Sequence, residues 1–243
     1  GDATGGNALW GEYGGIVSAG ETTLIGGNAK SGTGKAVAGN AISGDNNYFT
    51  QVTVKEGTFT ALGGKAESAS GEATNGNSVN ITPVNGNDRK TQLKVEEGGT
   101  LVTAKPDGSD ENGNGITGKI EINTDGGKIE EVKNAEVKKK DDGTVEVVGD
   151  VVGVVTGNLQ YELTATVQPT CTTPGKRVYT CTTEGHEGET YEEPIDALGH
   201  VFVNGVCNRC GAPEQAAAEG GSSAVTLTVT GAEAYETSVA DGR

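Results

Sequence analysis

The sequence predicts a mostly-β protein: a Gly-rich right-handed β-solenoid, or β-helix, over residues 1–135, followed by a small β module stapled by cysteine and histidine. Three observations carry this expectation. Short strand-like runs separated by acidic-Gly corners recur through the first half. Hydrophobic residues make up only 33% of the 243, with 41 glycines, no Met and one Trp. All four cysteines and both histidines fall between residues 171 and 210.

The low apolar content makes a compact core of large side chains hard to build, since globular chains reach about 45–50% on a count that includes Gly. A repeated thin core, in which each turn of chain buries small residues against its neighbour, needs far less. Residues 54–66 read VKEGTFTALGGKA, 95–105 read VEEGGTLVTAK and 122–130 read INTDGGKIE, with a looser copy, TTLIGGNA, at 22–29. Val54 to Val95 is 41 residues and Val95 to Ile122 is 27, so the repeats carry loops of unequal length. Alternating Val, Ile, Leu and Thr suit strands, and Gly suits the corners. No segment shows a 3.6-residue apolar period. The competing reading of the same composition is a Gly-rich chain without fixed structure.

Residues 136–165 read as a hairpin and connecting strand, with Asp142-Gly143 as the turn signal. Residues 166–213 form the Cys/His module, and 214–243 a linker and the start of a further β segment.

With 34 acidic and 18 basic residues, the net charge of −16 argues against nucleic acid and against anionic membrane surfaces. No apolar run approaches the roughly 18–20 residues that span a bilayer, so membrane insertion is not expected. With no initiating Met and no signal peptide, the chain reads as an excised ectodomain segment.

Cys207-Asn208-Arg209-Cys210-Gly211 has the CxxC spacing with which two thiolates grip one tetrahedral zinc. His200 could add an imidazole, with Cys171 or Cys181 completing the set; both together would make a four-thiolate site. The alternatives are free thiols and two disulfides, the natural pairing being Cys171 with Cys181 across a hairpin turning at Pro174-Gly175. As a metal site or as disulfides, the role is structural. His186 reads as an exposed turn residue or a substitute ligand. In the 110–121 segment, Asp110, Asn112, Asn114, Gly115 and Glu121 match a calcium-loop pattern, although strand-like flanks suit a plain solvated loop better. GGNAKSGTGKA at 26–36 lacks the first Gly and the Ser/Thr of a phosphate-binding loop, so nucleotide binding is rejected.

The stretch 169–213, PTCTTPGKRVYTCTTEGHEGETYEEPIDALGHVFVNGVCNRCGAP, resembles the ALGH…NGVC..CG repeats of modular cell-surface proteins of Gram-positive gut bacteria. It departs from them where Glu184 replaces the second Cys after Cys181. The Gly-rich half is similar to β-helical segments that accompany such repeats, some of them labelled carbohydrate-binding. The resemblance implies a secreted or cell-wall-associated protein.

Both histidines lie in the Cys/His module and no GxSxG occurs, so the chain reads as non-catalytic. The expected function is a binding or adhesion module for glycans or other cell-surface ligands, with Trp10, Tyr13, Tyr48 and Phe49 as the platform aromatics. The competing role for these four is to cap or fill the thin core. The alternatives in function are a purely structural spacer and a carbohydrate-active enzyme on a β-helix.

Overall fold

The computed structural model describes residues 1–11, 13–106, 115–141 and 144–214. These residues are mostly β, with no helix, and the largest sheet curls as a half-barrel. No helix among them is long and apolar enough to cross a membrane. The chain divides into two compact units, Gly1–Leu198 and Gly199–Arg243.

In the first unit, successive passes of the chain lie alongside one another in parallel. Leu9–Gly11, Ile42–Asp45, Val79–Thr82 and Ile116–Gly118 form one ladder, with Leu9, Ile42, Val79 and Ile116 in register. Gly14–Ala19, Phe49–Leu62, Thr91–Val95 and Ile120–Asn123 form a second. The long strand Phe49–Leu62 turns at Gly57, whose φ is +72°, and its second half joins a third ladder with Thr22–Ile25, Gly99–Pro106 and Lys128–Lys139. The apolar faces of these ladders bury one continuous core that includes Ile42, Phe49, Val52, Phe59, Ile81, Leu93, Leu101 and Ile129.

Glycine pinches each pass in two. Gly27 N–H donates to the Gly6 carbonyl (2.8 Å), Gly39 to Gly27 (2.8 Å), Gly64 to Gly39 (2.9 Å) and Gly76 to Gly64 (2.9 Å). The backbone therefore touches itself across the interior. A Cβ on Gly39, Gly63 or Gly76 would land on a carbonyl of the facing segment. The loops 28–38 and 65–75, closed off by these contacts, have room only for Ala29, Ala36, Ala38 and Ala66. Glycine serves here through close approach, not positive φ.

After Lys128–Lys139 the pairing becomes antiparallel: Val145–Thr156, Leu159–Val167, Gly175–Cys181 and Thr190–Ile195 extend the same sheet as a meander. Lys139 pairs with Val145 as the hairpin expects, while its turn residues Asp142 and Gly143 lie outside the described residues. The expected linker and further β segment at 214–243 fall outside them too, apart from Glu214.

Candidate metal centre and aromatic surface

The described part of the second unit, residues 199–214, holds a tight hairpin. Phe202–Val203 pairs with Val206–Cys207 through Asn204 and Gly205, both at positive φ (52° and 74°), as a two-residue turn with right-handed strand twist requires. The chain then folds back: Gly211 N–H donates to the Cys207 carbonyl (2.9 Å), and Cys207 N–H to the Ala212 carbonyl (2.8 Å). Asn208 N–H reaches the Val201 carbonyl at 2.9 Å, which draws His200 over the CxxC turn. His200 stacks on Phe202 with ring centroids 5.4 Å apart, and its Nδ1 lies 3.4 Å from Cys210 Sγ. The ligand atoms of His200, Cys207 and Cys210 fall within 4.8 Å of one another. Thiolate and imidazole donors on a tetrahedral zinc sit roughly 3.3–3.8 Å apart, so only a small closing movement is needed.

Burial opposes ionisation of the Cys207 thiol, but the backbone N–H groups of Cys210 and Arg209, the His200 imidazole and the Val201 backbone outweigh it and bring the pKa down to about 5. A turn that aims amides at sulfur stabilises the thiolate, the form that ligates metal. A Cys/His group able to hold a metal ion is thus present.

Within the first unit, Cys171 is buried in the loop between Leu159–Val167 and Gly175–Cys181. Thr170 shapes that loop, its Oγ1 accepting from Thr172 N–H (3.3 Å) and Thr173 N–H (3.0 Å). Leu198 N–H donates to the Thr170 carbonyl (2.9 Å), tying the last residue of this unit beside Cys171.

The expected Cys171–Cys181 disulfide is excluded by register. The hairpin turns over residues 168–174 and not at Pro174-Gly175, since Val167 pairs with Lys176 and Gly175 already lies in the strand; this puts Cys171 in the turn, whereas Cys181 pairs with Tyr161 at the hairpin's open end. Six residues of strand separate Cys181 from Gly175, roughly 20 Å, against about 7 Å for the Cα atoms of a bridged pair. Cys181 instead packs with Val154, Tyr161 and Tyr179. His186 occupies an exposed turn with its Nδ1 3.0 Å from Glu189 Oε1, and takes no part in the cysteine cluster.

Of the calcium candidates, Asp110, Asn112 and Asn114 lie outside the described residues. Glu121 is exposed on the strand Ile120–Asn123 and accepts from Gln92 Nε2 at 2.9 Å.

The aromatic candidates separate. Trp10, Tyr13 and Tyr48 are 58%, 74% and 45% exposed. Tyr13 and Tyr48 stand on adjacent passes with ring centroids 4.8 Å apart, held by Gly14 N–H donating to the Tyr48 carbonyl (3.1 Å). Phe49 does not belong to this surface. It is 2% exposed, and its ring fills the space that a side chain at Gly11 or Gly44 would need.

Sequence reasoning missed a buried charge cluster. Glu193 accepts from Lys128 Nζ (2.7 Å), Tyr179 OH (2.9 Å) and Tyr191 OH (3.3 Å). No spacing signal could have found it, because Lys128 and Glu193 are 65 residues apart. Comparison with protein-family models, curated proteins and solved structures returns no match.

Proposed function

We propose that the chain is a non-catalytic, extracellular binding module of a modular bacterial surface protein. Its parallel ladders are successive turns of a right-handed β-solenoid, the hand that parallel crossovers take. Its ligand is a glycan. The exposed Tyr13–Tyr48 pair, with Trp10 three residues upstream of Tyr13, carries this reading. Large aromatic faces held out in solvent by a fixed backbone cost apolar hydration, and the apolar faces of sugar rings offset that cost when they stack.

The Cys/His module is held by structural zinc, with His200, Cys207 and Cys210 among its ligands and a further cysteine thiolate completing the set. Three thiolates and one imidazole suit zinc and leave no open position, as in a structural centre.

A glycan array read with the full chain tests the binding role. Binding is expected, with a change in the fluorescence of the single tryptophan, Trp10, and loss of both in Tyr13→Ala/Tyr48→Ala. An array without any hit would leave the spacer role and remove this one.

A further inference from the structure

The aromatic pair is not alone on its surface. The Asn46 side chain, two residues before Tyr48, holds the carbonyl of Arg89, so the residues that lead into the third pass, Thr91–Val95, lie beside the Tyr48 turn. Tyr13 and Tyr48 stand on the two preceding passes. Lys90 follows Arg89, and both are exposed.

The backbone that carries them is fixed. Asn46, 1% exposed, donates from Nδ2 to the carbonyls of Asn87 (2.9 Å) and Arg89 (2.8 Å), and its Oδ1 accepts from Val84 N–H (2.7 Å). Asp45 Oδ1 accepts from the N–H groups of Asn47 (2.8 Å) and Tyr48 (3.1 Å). One turn therefore positions the ring of Tyr48, and its neighbouring side chain positions the 84–89 loop beside it.

In the first 95 residues, Lys30, Lys35, Lys65 and Lys94 each pair with a glutamate, while Lys55 has no ion pair among the described residues. Arg89 and Lys90 form no ion pair among the described residues. Of the nearby acids, Asp88 faces Lys119 at 3.7 Å and Asp45 is turned onto the backbone. Arg89 is also the only arginine before Arg177. On a chain of net charge −16, an anionic polymer is repelled at long range, but screening beyond about 8 Å leaves local cations to decide contact.

We infer that the Tyr13–Tyr48 surface takes anionic polysaccharides, the sugar faces stacking on the two rings and their carboxylate or sulfate groups meeting Arg89 and Lys90. This rests on the glycan-binding reading above. The full chain is titrated with polygalacturonate and its methyl-esterified form, and with dextran sulfate and dextran. At least one charged polymer binds about tenfold tighter than its neutral partner, and which one identifies carboxylate or sulfate as the group read. Arg89→Ala/Lys90→Ala abolishes the preference and its salt dependence, with circular dichroism unchanged. Tyr13→Ala/Tyr48→Ala abolishes binding to both members of the pair. Equal binding of charged and neutral partners, or a preference that survives the Arg89/Lys90 variant, overturns the inference and leaves the glycan role standing. Binding to none of the four overturns it too, and the glycan array then decides the wider role separately.

Discussion

Gly39 has no side chain because there is no space for one. Its N–H donates to Gly27, its carbonyl accepts from Gly64, and a Cβ would strike the backbone of Gly6. Gly32, seven residues earlier, has open space at the same position. Gly39→Ala should cost about 3 kcal/mol or more, since backbone must move to admit the methyl group, while Gly32→Ala should stay within about 0.5 kcal/mol. Urea unfolding of the two variants checks this; equal stabilities would mean that the pinch is not tight. The glycine doublets at 26–27 and 63–64 were visible in the sequence, but read only as corners. A corner glycine announces itself by its neighbours, as Glu56-Gly57 does. A glycine needed for close approach depends on what faces it, and that partner is a different part of the chain.

Among elements, register decided what sequence comparison could see. Val54 pairs with Val95, as the matching of VKEG with VEEG expects. Val95 to Ile122 is displaced by two residues, because Leu93, not Val95, pairs with Ile122. The corners differ in length: Val95 to Gly99 holds one residue more than Val54 to Gly57. Of the seven Gly-Asn dipeptides, those at 6–7, 39–40, 76–77 and 113–114 recur at a steadier spacing, and the Asn7 and Asn40 side chains accept from the backbone of Asn40 and Asn77 at 2.8 Å. The same geometry separates the four cysteines. Cys181 closes the Gly175–Cys181 strand inside a tyrosine cluster, while Cys207 sits in the turn whose amides favour its thiolate. Cys207→Ser should abolish zinc binding and unfold the small unit, because its described residues bury almost no apolar side chain. Cys181→Ala should keep one zinc per chain and lose only about 1–2 kcal/mol in the large unit, the cost of a small cavity. Elemental analysis with near-ultraviolet dichroism separates the two. Retention of zinc by the Cys207 variant would remove Cys207 from the ligand set. The CxxC half of this centre was legible because two ligands three apart need only a local turn; that Cys181 packs among tyrosines depended on the hairpin register.

At the scale of the whole first unit, Lys128 and Glu193 lie on the first and last of five consecutive strands. On a flat sheet they would be at least about 19 Å apart, so their 2.7 Å contact exists only because the sheet curls. The pair therefore holds the curl closed. Burial disfavours both charges. For Glu193, the hydrogen bonds from Lys128, Tyr179 and Tyr191 outweigh it and hold the carboxyl below the usual carboxylate range. For Lys128, contacts with Glu130 and Glu193 outweigh it and raise the ammonium pKa well above its ordinary value. The sign follows from linkage. A carboxylate with a depressed native pKa adds stability that is complete above its unfolded value of 4.5 and is lost as pH falls through the native one. The lysine, raised in the native state, stays charged in both states throughout that window. Glu131 works in the opposite direction, since burial raises its pKa, so the total stability of the parent is a poor measure of the latch. The difference between the parent and Glu193→Gln isolates it. The amide keeps the shape and removes the charge. At neutral pH the variant should lose roughly 1–3 kcal/mol, a buried-pair cost reduced for partial exposure. That loss should shrink steadily from about pH 5 to pH 3. A gap that stayed constant across this range would show that Glu193 holds the sheet by packing and neutral hydrogen bonds, not as the anionic partner of Lys128.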